Sequence, residues 1–130
     1  MTEQDHSIFI TGAGSGMGQL AARNFAAQGY SVAAVDVNEK GLLKTAENHQ
    51  NIRTFNTDVT NYQAVLDAVE EAEEKLGPIR RVYNAAAIMP LGRAVDQDIE
   101  IFHRVMDINY SGVVNVSKAI MPKLLERNEG

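Results

Sequence analysis

Thr11-Gly12-Ala13-Gly14-Ser15-Gly16-Met17-Gly18 decides how this chain folds. A short apolar segment, Ile8-Phe9-Ile10, precedes it, and Leu20, Ala21, Phe25 and Ala26 recur after it at helical spacing. A strand that runs through a glycine turn into a helix aims several backbone N–H groups and the positive helix end at one point. Such a point is a seat for a diphosphate. Short glycine patterns also arise by accident, so a flexible turn without a ligand is the competing reading. A P-loop is excluded, because no Gly-Lys-Ser/Thr follows the cluster.

The rest of the chain alternates strand and helix. Residues 8–11 read as a strand and residues 16–28 as a helix, with Gly29 placed where a helix end favours positive φ. Val32-Ala33-Ala34-Val35 is apolar on both faces, as in a strand covered by helices on both sides. Asn38 is positioned to cap a short helix that turns Leu42, Leu43 and Ala46 inward. Residues 52–56 form a more polar strand, nearer an edge. Thr60 and Gln63 make a capping-box pattern ahead of Tyr62, Val65, Leu66, Val69 and Leu76, and Gly77-Pro78 ends that helix. Residues 81–84 are a fourth strand and 85–93 a loop. A long helical pattern then spans 98–126, bent near Pro122. These βαβ units imply a parallel, doubly wound, Rossmann-like α/β sheet in the order 3-2-1-4, all within one domain over residues 1–130. The ligand crevice then opens at the carboxyl ends of strands one and four.

Composition excludes several function classes. The 130 residues carry a net charge of −5, which argues against nucleic acid or an anionic membrane as a partner. Residues 1–7 are polar and acidic, unlike a signal or transit peptide, and no apolar run reaches membrane-spanning length. Without cysteine there are no disulfides, thiolate metal sites or Cys nucleophile. The expectation is a cytoplasmic protein. Glu70, Glu71, Glu73 and Glu74 read as a solvated helix face, His6, His49 and His103 are scattered, and no metal site is expected.

Asp36 is the second chemical signal, at the end of strand two and eighteen residues beyond Gly18. A carboxylate there can accept both ribose hydroxyls of an adenosine and repels a 2′-phosphate, so it favours NAD over NADP. The neighbouring positions Ser15, Val37 and Asn38 offer no cation to reverse that preference. The competing reading makes Asp36 a turn residue before the short helix.

Together these residues resemble the short-chain dehydrogenases/reductases. Thr11 through Gly18 match every fixed position of that family's T-G-x-x-x-G-x-G signature. The resemblance implies that Gly12, Ser15, Gly16, Met17 and Gly18 seat the pyrophosphate and ribose, and that Asp36 holds the adenosine ribose. Asp58-Val59 looks like the family's adenine-contacting pair, against a plain helix-entry role for Asp58. Asn84-Ala85-Ala86-Ala87 stands in place of the family's N-N-A-G. Asn84 and Ala86 agree with it, while Ala85 and Ala87 replace the second Asn and the Gly. In Asp107-Ile108-Asn109, Asn109 is similar to the family's helical Asn, which supports a proton relay.

The proton donor of the family, the Tyr of Y-x-x-x-K, is missing. Residues four beyond Tyr30, Tyr62, Tyr83 and Tyr110 are Ala34, Leu66, Ala87 and Val114, and an unaided phenol with pKa near ~10 is a poor acid–base group at neutral pH. Ser117-Lys118 reads as solvent-facing. The resemblance therefore covers the whole chain but only about the first half of a family domain, so residues 1–130 are expected to be the amino-terminal half of a longer one. It implies hydride transfer between NAD and an alcohol or ketone, with the catalytic Ser and Tyr-Lys pair supplied elsewhere. The alternative is a non-catalytic NAD-sensing or interaction module. A bare fourth strand and the apolar face of the 98–126 helix imply a homo-oligomer or a second chain completing the domain.

Overall fold

Four parallel strands stand side by side in the order β3-β2-β1-β4: β1 is Ser7–Thr11, β2 Ser31–Asp36, β3 Ile52–Asn56 and β4 Ile79–Asn84. The computed structural model describes residues 6–130; residues 1–5, most of the polar amino-terminal segment, lie outside the described residues. Helix α1 (Gly16–Ala27) and helix α2 (Glu39–Ala46) join β1 to β2 and β2 to β3, and α3 (Tyr62–Leu76) joins β3 to β4. After β4, a loop with a short turn at Ala94–Asp96 leads into α4 (Ile99–Met106) and α5 (Gly112–Arg127).

Side-chain alternation along the two central strands builds two cores. Ile8, Ile10, Val32 and Ala34 face α1 and α2 and pack with Ala22, Ala26 and Leu42. Phe9, Ala33 and Val35 face the other way and meet Val65, Val69, Val116 and Ile120 of α3 and α5. Strands buried on both faces must read as unbroken apolar runs, and these do. Thr11 is level with Val35 and with Asn84, so β1, β2 and β4 end together at one rim.

Four details differ from the sequence reading. Leu43 points outward and is 62% exposed, because the α2 face turned to the sheet carries Leu42 with Gly41, Thr45 and Ala46. The cap of α3 is Asn61, whose side chain accepts from Ala64 N at 3.0 Å. Thr60 instead donates to Asp58 Oδ1, and Gln63 to Asp67, so no capping box forms. The long helix is continuous but contains a π turn at Asp107–Ser111, closed by a hydrogen bond from Gly112 N to Asp107 O.

The fourth difference is Glu73, which does not belong to the solvated acidic face. Its Oε1 accepts from Arg127 Nη2 at 2.8 Å and Ile79 N at 3.1 Å, and its Oε2 lies 3.3 Å from Lys123 Nζ. The carboxylate thus ties α3, α5 and the start of β4 together. Burial pushes its pKa up, but Arg127, the Ile79 amide and Lys123 outweigh that and hold it below the ordinary carboxylate value. A lowered pKa contributes stability that is present above the unfolded-state value and lost as pH falls through the folded one. Glu73→Gln is expected to cost about 1–2 kcal/mol at pH 7, and to flatten the decline in stability below about pH 4. Urea melts of both proteins at neutral and acid pH check this; parallel pH dependence in the two would show the cluster contributes nothing.

Candidate cofactor site

The glycine turn between β1 and α1 divides its amides into two groups. Ala13 N donates to Val35 O at 3.1 Å and Gly14 N to Asp36 Oδ2 at 2.9 Å, which lashes the first half to β2. From α2, Thr45 Oγ1 lies 2.7 Å from Ala13 O and receives Gln19 Nε2 at 2.9 Å. The second half is uncommitted. Helix α1 begins at Gly16 with no side-chain cap from Ser15 and no acid in its first turn. The amides of Ser15, Gly16, Met17 and Gly18 donate to no described residue, as expected only where solvent or a ligand takes them.

Glycine is demanded here for two different reasons. Gly12 has φ +65°, and a Cβ on it would lie 2.5 Å from Ala85 O; one on Gly18 would lie 2.2 Å from Gly12 O. At Gly16, with φ +54°, a Cβ would meet nothing within 4 Å. The first two glycines allow backbones to touch, while the third fronts open space.

That space is a cleft of about 330 Å³. Gly12, Ser15, Gly16, Met17, Gly18, Asp36, Asp58, Val59, Ala85 and Ala86 all line it, drawn from the ends of all four strands. The volume falls at the low end of small-molecule pockets (~300–1,000 Å³), suiting an elongated ligand that these residues enclose in part. Asp36 is already a turn residue, accepting from Asn38 N at 3.0 Å with Oδ1 as well as from Gly14 with Oδ2. Each oxygen keeps a second lone pair for a ligand hydroxyl. Asp58 uses only Oδ1, on Thr60 N and Thr60 Oγ1, and Oδ2 has no partner among the described residues.

Two of the residues singled out from sequence lie outside the lining. Asn84 sits at the exposed end of β4, level with Thr11. Asn109, in the π turn, spends both side-chain groups on one residue: Oδ1 accepts from Ile88 N at 2.9 Å and Nδ2 donates to Ile88 O at 2.8 Å. Ile88 itself lines the cleft, so Asn109 acts on the wall at one remove.

Others went unassigned in the sequence. Thr11 Oγ1 accepts from both Ala85 N at 3.2 Å and Ala86 N at 3.1 Å, fixing the loop after β4 against the glycine turn. Its place in the T-G-x-x-x-G-x-G pattern was the available signal. Val35, Val37, Thr57, Ala87, Arg104 and Ile108 complete the lining with Ile88, and nothing in their spacing marks Thr57 or Arg104.

The short chain dehydrogenase family model matches residues 6–130. A meso-2,3-butanediol dehydrogenase of Serratia marcescens is 35% identical over 121 residues, covering 92% of this chain and 48% of its own. The crystal structure of a short chain dehydrogenase from Bacillus anthracis superposes with a TM-score of 0.92 at 26% identity, covering 98% of this chain and 53% of the other. That of an actinorhodin polyketide ketoreductase with NADPH gives 0.88 at 28% identity, covering 100% and 52%. The chain spans about half the length of the relatives it matches.

Thr11→Val should leave the Ala85 and Ala86 amides without an acceptor and destabilise the protein by about 1–3 kcal/mol, whereas Thr11→Ser should lose little. Denaturant unfolding of the pair checks it, and equal stability of the Val and Ser variants would refute the role given to the hydroxyl.

Proposed function

The chain belongs to the short-chain dehydrogenase family, and from that membership we propose that it is the coenzyme-binding part of an NAD-dependent oxidoreductase acting on an alcohol or ketone. The observation that carries this reading is the run of amides from Ser15 to Gly18 that donate to no described residue and open on the same cleft as Asp36 and Asp58. The uncapped start of α1 suits a diphosphate. Asp36 would take the adenosine ribose hydroxyls, Asp58 with Val59 the adenine, and Ala85 and Ala86 the inner ribose, with Asn84 beside them. When bound, the nicotinamide would supply hydride chemistry, giving hydride to a carbonyl carbon or taking it from an alcohol carbon.

The protein's own contribution is to bind, orient and hold. Asn109 grips the Ile88 backbone and, in this reading, supports a Tyr-Lys pair that residues 1–130 do not contain. NAD is preferred to NADP because a 2′-phosphate would meet the Asp36 carboxylate. Supporting a further polypeptide, α5 exposes Val113, Val114, Met121 and Leu125, a face suited to a second copy of the chain or to the rest of the domain. A second reading, a non-catalytic NAD-binding module, draws on one fact: none of the four tyrosines has a Lys four residues on.

Fluorescence titration should give NADH a dissociation constant in the micromolar range, weakened at least ~10-fold by Asp36→Ala. Equal affinity for NADPH would overturn the NAD assignment. Residues 1–130 alone should turn over no alcohol in a coupled absorbance assay; measurable dehydrogenase activity would show that the proton donor lies within them.

A further inference from the structure

Arg104 lines the cleft, and it is the one Lys or Arg among residues that include two carboxylates, Asp36 and Asp58. Its helix is held firmly above the loop between β3 and α3. A Cβ on Gly112 would lie 2.7 Å from Val59 Cγ2, so α5 and that loop touch, and Asn115 Nδ2 donates to Val59 O at 2.8 Å. Towards the amino end of the same continuous helix, Ile108 and then Arg104, about one turn apart, both line the cleft. The Arg104 side chain makes no hydrogen bond or ion pair with a described residue, although Glu100 and Asp107 stand one helical turn away on either side.

We infer that Arg104 is a cofactor-contacting residue whose guanidinium covers the face of the adenine, a role that rests on the coenzyme reading above. Val59 and Ile108 supply apolar walls for a flat ring, and the unpartnered Oδ2 of Asp58 is an acceptor for an exocyclic amino group at its edge. What that slot lacks is a lid. A planar, weakly hydrated guanidinium stacks on π faces, which the point charge of a lysine cannot reproduce. The diphosphate already has its donors in the Ser15–Gly18 amides, so the arginine is left for the base.

The test is binding of ADP-ribose and of AMP, by calorimetry, to the purified protein and to its Arg104→Ala, Arg104→Lys and Arg104→Gln variants. Arg104 is exposed and has no partner among the described residues, so the variants should keep the parent's melting temperature. Stacking on adenine predicts that Ala and Lys both weaken ADP-ribose and AMP by the same roughly 5- to 20-fold, with Gln, also planar, closer to the parent. Lys binding as tightly as Arg would overturn the inference in favour of a phosphate contact, and Ala binding as tightly would overturn any contact at all. A parent protein that binds neither ligand would refute the coenzyme reading itself, a result separate from any change among the variants.

Discussion

One hydroxyl oxygen, Thr11 Oγ1, receives two consecutive amides from the segment after β4, and the cleft exists because of that junction. It draws Ala85 against Gly12 so closely that a side chain at position 12 would have no room. With the crossover from β1 held to β4 on one side, the Gly14–Asp36 bond holds it to β2 on the other. The turn therefore cannot fold back to satisfy its own later amides. Ser15 to Gly18 are left facing outward by the geometry of their neighbours, and the vacancy of those donors follows from how completely Ala13 and Gly14 are occupied.

Charge sets the second constraint. A chain of net charge −5 that puts Asp36 and Asp58 into one groove would repel an anion unless something local compensates. The start of α1 supplies a partial positive charge worth up to roughly half a unit, and no acid in its first turn cancels it. Asp36 is spared from acting as a bare repulsive charge because two amides already neutralise part of it. Attraction for an anion is thus concentrated at the start of α1, while Asp36 and Asp58, with Arg104 in the same lining, present mixed charge elsewhere in the groove.

Local signals made most of this legible. Glycines, a carboxylate after an apolar strand and the alternation of periods gave the sheet order and six residues of the cleft lining, Gly12, Ser15, Gly16, Met17, Gly18 and Asp36, because each reflects a backbone demand confined to a few neighbours; Asp58, Val59, Ala85 and Ala86 came only from the family resemblance. What stayed illegible is long-range pairing. Glu73 looked like one acid among four, and only the folded chain brings Arg127 and Lys123 to it. Arg104 sits in an ordinary helical pattern whose facing partner, the Asp58–Val59 loop, is more than forty residues earlier. The capping-box pattern at Thr60 failed for a local reason: Asp58 captures the threonine and Asn61 is a better cap one residue later.

The π turn explains how one helix serves two neighbours. Gly112 must lie against Val59, and Asn109 must reach the Ile88 backbone with both its amide groups. In a regular α-helix each residue advances about 100° around the axis, and the two contacts would be locked to a single relative angle. Widening the turn at Asp107–Ser111 changes that angle without breaking the helix. The wall carrying Ile88 and the loop carrying Val59 are then both held by one continuous helix. The proposed role, holding a coenzyme at a set distance from a reacting carbon, would need that property more than any single hydrogen bond.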